Sequence, residues 1–146
     1  GGGGGAEEKK AGLFRVVCVE DERLIRMMYQ RVLLKKYFDG IVIGESLKQA
    51  QSAADVIIEG NFDGVVMDQN LVYAEGTILG SDIVREVRSR GYKGVILFRS
   101  ANTEEADIDL YLKSGGDAVM SKAATSKLIA QKLKVMIEER RTTQKL

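Results

Sequence analysis

A chain of 146 residues with 45% hydrophobic content suits one ordinary globular domain, and a formal net charge of +1 argues against a strongly basic surface for nucleic acid. One cysteine, Cys18, and no histidine exclude an internal disulfide, a Cys/His metal cluster and histidine-based acid–base catalysis. No stretch approaches the roughly 20 apolar residues that cross a bilayer, and the opening "GGGGGAEEKK" lacks the apolar core of a signal peptide. A soluble, cytoplasmic protein without membrane contact is the expectation.

Residues 1–13 read as a flexible glycine-led tag or linker, 14–138 as the folded domain and 139–146 as a charged, solvated tail. Within the domain, five short apolar runs are expected as strands: "FRVVCV" (14–19), "GIVIG" (40–44), "GVVM" (64–67), "GVILF" (94–98) and "AVM" (118–120). They are rich in β-branched residues and nearly continuous, as parallel strands covered on both faces are.

Segments of helical period fill the gaps. Ile25, Met28, Val32 and Leu33 mark the first. Ser46 and Gln49 form a capping box for the second, whose inner face is Leu47, Ala50, Ala54 and Ile57 and whose stop is Gly60. Ile83, Val84 and Val87 line the third, which ends at Gly91. Asn102 and Glu105 are expected to cap the fourth, with Ile108 and Leu112 inward and a stop near Gly115; Ile129, Leu133, Met136 and Ile137 line the fifth. Five β-α units in strict order predict an open, doubly wound α/β sheet.

Such sheets gather their chemistry at the carboxyl ends of the strands. The residues there are Glu20 and Asp21 after the first strand, Asp68 after the third, Ser100 after the fourth and Lys122 after the fifth. Two carboxylates about 4 Å apart repel by roughly 4 kcal/mol at an effective dielectric near 20, which is large against a total stability of about 5–15 kcal/mol. Either their pKa values rise or a cation lies among them. Clustered oxygens suit Mg²⁺, which takes a few carboxylates together with phosphate oxygens. Cation, lysine and hydroxyl then make a clamp for a phosphoryl group.

The pattern "VVCVEDERLIRMM", "GVVMDQNL", "ILFRSAN", "GGDAVMSK" resembles the receiver domain of two-component response regulators, over residues 14–137. The resemblance implies a five-stranded, flavodoxin-like (βα)5 fold, and a phosphoryl group passing to Asp68 from a phosphohistidine on a histidine kinase or histidine phosphotransfer protein. It implies Mg²⁺ held by Glu20, Asp21, Asp68 and the backbone carbonyl of Asn70, with Ser100 as switch hydroxyl and Lys122 as the family's lysine. A signalling module with slow self-dephosphorylation is implied, rather than a turnover enzyme. The missing histidine agrees, since the phosphodonor must then lie elsewhere.

Taken singly the same residues have plainer explanations. Asp68 suits a turn, Glu20 and Asp21 suit a helix N-terminus, and Ser100 and Lys122 are weak alone; joint position carries the reading. Cys18 reads as a buried small hydrophobe. Asn70 and Asn102, each two places past a site residue, either tune the lifetime of an acyl phosphate or serve turn and cap.

Three departures from the family pattern stand out. The segment 69–80, "QNLVYAEGTILG", is longer than the usual loop and lacks a proline after Leu71; it is either a lid or partner surface, or idle length. Val119 stands where the family has an aromatic, so the familiar aromatic switch is not expected in that form. Ala123 replaces a proline that often carries a cis bond, which alanine disfavours by about 3–4 kcal/mol. Two other readings remain: a pseudo-receiver or interaction module that takes no phosphate, and a haloacid-dehalogenase-type phosphatase. The latter needs a second aspartate where Asn70 stands. Only a short tail follows the domain, so a stand-alone regulator or the receiver of a hybrid histidine kinase is expected. Homodimerisation is open.

Overall fold

The computed structural model describes residues 12–144; the expected tag at 1–13 lies almost wholly outside them. Five parallel strands form the main sheet: β1 (Arg15–Val19), β2 (Asp39–Ile43), β3 (Gly64–Met67), β6 (Val95–Ser100) and β7 (Ala118–Ser121). Their spatial order is β2-β1-β3-β6-β7. The chain winds outward in one direction and then reverses, which is the doubly wound arrangement expected.

Alternate strand residues face opposite helix layers, and both are buried. Val17, Val19, Val65, Met67, Ile96 and Phe98 point to one side. There they meet α3 (Leu47–Gln51), α4 (Ala53–Glu59), α5 (Gly80–Ser89) and α6 (Glu105–Ser114). Val16, Cys18, Val66, Val95 and Leu97 point to the other, toward the helix that starts as α1 (Arg23–Met28) and toward α7 (Ser126–Gln144). Coverage on both faces explains why the sequence runs are continuous and not alternating. Cys18 is one of these core residues, and burial pushes its thiol far up.

Several helices differ in detail from the periodic reading. After α1 the chain forms a π-helical stretch, Tyr29–Leu34, before α2 (Lys35–Tyr37). Spacing of i to i+5 brings Tyr29 and Leu34 to one face, so these two and Leu33 are buried while Val32 is only partly covered. The second helix pauses at Ser52 between α3 and α4. Ser46 Oγ accepts from the Gln49 N–H at 3.2 Å as expected, but Gln49 Oε1 reaches further back, to the N–H groups of Gly44 and Glu45. The fourth helix begins at Glu105 with Glu104 as cap, and Asp107 accepts from the Glu104 N–H at 3.3 Å; the expected cap by Asn102 and Glu105 does not form. Its buried residues are Tyr111 and Ser114, whereas Leu112 is exposed.

The segment 139–144, expected as a solvated tail, is the last part of α7. Its arginines fasten the amino-terminal edge of the sheet. Asp117, just before β7, takes Arg140 at 2.6 Å, Arg88 at 2.9 Å and the Ile96 N–H at 2.8 Å. Asp63, just before β3, takes Arg141 and, at 2.8 Å, the Arg15 N–H. Residues 145–146 lie outside the described part. Among the described residues, no helix is long and apolar enough to cross a membrane.

Candidate functional site

The opposite edge of the sheet carries the acids. Val19 pairs with Met67, so the next residues on the two central strands, Glu20 and Asp68, emerge side by side. Backbone bonds continue the ladders past the last strand residues, from Glu20 N–H to Ile43 at 3.0 Å and from Asp68 N–H to Val19 at 3.1 Å. Arg26 on α1 donates to the carbonyls of Glu20 and Asp21, which fixes the turn after β1. The result is that ligand oxygens of Glu20, Asp21 and Asp68 all lie within 4.8 Å of one another. Lys122, following β7, reaches across β6: its ammonium pairs with Glu20 Oε1 and lies 3.4 Å from Asp68 Oδ1.

Three acids with one lysine do not balance. Glu20 is 0% exposed and Asp68 7% exposed. Burial pushes Glu20 above the usual carboxylate range, although Lys122 pulls it back. Burial and then the Glu20 charge push Asp68 up to about 8, again against Lys122. Asp21 goes the other way: burial raises it, but the Val72 N–H at 3.0 Å and further hydrogen bonds outweigh burial and hold it below the ordinary range. A close, oxygen-only donor set with surplus negative charge fits a hard divalent cation such as Mg²⁺.

The long segment after Asp68 is an antiparallel hairpin, β4 (Asn70–Tyr73) and β5 (Gly76–Leu79), turning at Ala74 and Glu75. Leu71 faces the core while Val72 is exposed. Three bonds seat the hairpin on the site: Val72 N–H to Asp21, Tyr73 hydroxyl to the Gly44 carbonyl at 2.7 Å, and Gly80 N–H to the Gln69 carbonyl at 2.7 Å. Gln69 is buried and trades two hydrogen bonds with Ser81, at 2.7 and 3.0 Å. Asn70 opens β4 opposite Leu79. The segment is thus an ordered hairpin at the rim of the acids.

The hairpin closes so tightly that a Cβ on Gly80 would fall 2.0 Å from the Asp68 carbonyl oxygen. Gly80→Ala must part the hairpin base from the acid-bearing turn. We expect a loss of about 3 kcal/mol by urea unfolding, at the upper end of overpacking effects.

Ser100 ends β6, beside β3, and is 1% exposed. Its hydroxyl contacts Tyr111 at 3.0 Å and accepts from the Asn102 N–H at 3.1 Å. Val119 offers no ring, as the sequence states; the ring that meets Ser100 comes from α6. Arg99, also buried, points to the other face. It donates to the carbonyls of Lys122 at 2.7 Å and Ala124 at 3.1 Å, and to the Tyr29 hydroxyl at 3.2 Å. Arg99 therefore holds the backbone on both sides of Ala123, where every described peptide bond is trans. Tyr111, Arg99 and Gln69 were not singled out by the sequence reading.

Fold and site together define a flavodoxin-like α/β domain with an acidic crevice at the carboxyl edge of its sheet. The chain belongs to the response regulator receiver domain family, whose model matches residues 16–134. Such domains are signalling modules that work with histidine kinases and phosphotransfer proteins, not conventional enzymes. Among curated proteins nothing matches the chain.

Solved structures similar to it include a CheY-like response regulator receiver domain from Methanospirillum hungatei JF-1, at 14% identity and TM-score 0.76, covering 90% of this chain and 98% of that one. Chemotaxis protein CheY4 of Vibrio cholerae follows at 19% identity and TM-score 0.72, covering 85% and 98%. The BeF3-activated N-terminal receiver domain of Klebsiella pneumoniae RstA gives 21% and 0.70, covering 84% and 97%. At these identities the likeness concerns the fold.

Proposed function

We propose that this receiver domain accepts a phosphoryl group on Asp68 from a phosphohistidine of a histidine kinase or histidine phosphotransfer protein. The observation that carries this is the crevice itself: three carboxylates, one oxygen of each within 4.8 Å of the others, with Lys122 beside Glu20 and Asp68. In the transfer, a carboxylate oxygen of Asp68 bonds to phosphorus as the phosphorus–nitrogen bond breaks, and the imidazole leaves with the electron pair. Glu20, Asp21, Asp68 and the Asn70 carbonyl would hold Mg²⁺, which would supply positive charge against the phosphoryl oxygens. Lys122 leaves Glu20 to pair with the new phosphoryl group, and Ser100 donates to one of its oxygens. Water then hydrolyses the acyl phosphate slowly and resets the domain.

Charge also favours the ion for a second reason. A protonated carboxyl is no nucleophile, and Asp68 is raised to about 8 without a cation. A divalent ion favours the ionised form.

The test is labelling with acetyl phosphate, followed by intact mass. Wild type should gain one phosphoryl group with Mg²⁺ and none with chelator, and Asp68→Asn should gain none. Equal labelling of mutant and wild type would overturn the assignment. A second reading, an interaction module that takes no phosphate, draws on one feature: Lys122 and the Val72 N–H already engage Glu20 and Asp21. Wild type that stays unlabelled while Mg²⁺ leaves its melting temperature unchanged would select that module.

A further inference from the structure

The hydrogen bonds around Ser100 leave its single proton nowhere to go but Tyr111. The Asn102 carbonyl can only accept, so the Tyr111 hydroxyl, 2.9 Å away, donates to it. The Asn102 N–H can only donate, and it donates to Ser100 Oγ at 3.1 Å. One contact remains, 3.0 Å between the two hydroxyl oxygens. With the tyrosine proton already committed, Ser100 must be the donor there.

Ser100 therefore has no proton free for a group arriving at Asp68 while it stays bonded to Tyr111. Nor can Tyr111 readily follow. It is 1% exposed, and its ring stacks on Phe98 with centroids 4.7 Å apart and planes 15° apart. Phe98 is itself fixed beside Met67 in the sheet.

We propose that Tyr111 is a positioning residue of the acceptor site, one that holds the Ser100 proton at rest and gives it up when a phosphoryl group reaches Asp68. This rests on the acceptor reading above. Two acceptors, Tyr111 Oη and a phosphoryl oxygen, compete for one O–H. Filling the site removes one of the two hydrogen bonds that seat the Tyr111 hydroxyl, so occupancy at Asp68 loosens α6. The exposed residues of that helix, Leu110 and Leu112 among them, are where the loosening reaches the surface.

Beryllofluoride with Mg²⁺, a phosphoryl mimic, tests this on the whole chain by titration of the melting temperature. Tyr111→Phe keeps the ring and its stack but removes the oxygen that competes for Ser100. Its apparent affinity for beryllofluoride should rise roughly 2- to 10-fold, the worth of one ordinary hydrogen bond. In a Ser100→Ala background, Tyr111→Phe should change nothing.

Unchanged or weaker affinity in Tyr111→Phe overturns the inference, as does an equal gain with and without Ser100. Wild type itself failing to bind beryllofluoride would sink the acceptor reading and this inference with it. A readout that needs no variant is amide hydrogen exchange in wild type. Beryllofluoride should speed exchange over residues 105–114, and unaltered exchange there would also overturn the proposal.

Discussion

With metal removed by chelator, Asp68→Asn is expected to be more stable than wild type above pH 8, by about 3 kcal/mol. The reason is that burial and the Glu20 charge raise Asp68 from its ordinary 3.8 to about 8. The sign follows from where the proton is held. Below the ordinary value both the folded and the unfolded chain are protonated, and the two proteins differ little. Between 3.8 and about 8 the unfolded chain releases the proton and the folded one keeps it, so rising pH favours unfolding.

Each pKa unit is worth about 1.36 kcal/mol. The expected gain is set below the full shift because Lys122 stays with Glu20 in both proteins. Asparagine removes the titration, so the stability gap should open across this window and level off above it. Denaturant melts of both proteins across pH provide the measurement. A gap of the same size at every pH would mean that something other than this carboxyl produces it. Saturating Mg²⁺ should narrow the gap by stabilising wild type, by about 2.7 kcal/mol at 100 times the dissociation constant if only the folded state binds.

Lys122→Met is expected to act in the opposite direction. It removes the ammonium that pairs with Glu20 and lies beside Asp68 and leaves a fully buried carboxylate without that partner. Breaking a buried ion pair from one side typically costs about 3–5 kcal/mol. Lys122 keeps 22% of its side chain exposed, and Glu20 can escape part of the penalty by taking a proton, so about 2–4 kcal/mol is expected near neutral pH.

The loss should fade as pH falls and the acids protonate. It should also fade with Mg²⁺, which replaces the missing positive charge, so added metal should raise the melting temperature of Lys122→Met more than that of wild type. An equal metal response in both would show that the lysine and the ion do not share the same oxygens.

The main-sheet strands were readable because burial on both faces writes itself into the sequence as uninterrupted apolar runs, and each of those five strands falls within two residues of its run. Glu20, Asp21, Asp68 and Lys122 were readable for a related reason: in a parallel sheet, the residue after each run must emerge at the same edge. What escaped depends on partners distant along the chain. Tyr111 faces inward because Phe98 and Ser100 await it, whereas the helical period favoured the aliphatic Ile108 and Leu112. Arg99 looked like an interruption of its strand, yet the carbonyls it binds are 23 and 25 residues away.

The hairpin was missed because its turn, Ala74-Glu75, carries none of the Asn-Gly or Asp-Gly chemistry that announces a two-residue connection. Its strands are only four residues each, too short for alternation to persuade. The C-terminal arginines looked solvated because their acids, Asp63 and Asp117, precede them by 78 and 23 residues.

Those arginines have a consequence for how the domain can move. One edge of the sheet is riveted by guanidinium groups that bridge several strands and the final helix, while the other edge holds mutually repelling acids. Disturbance at the acidic edge then has a fixed pivot behind it. In such a lopsided molecule, local opening near Asp68 should come well before global unfolding, and the riveted edge should be the last part to yield.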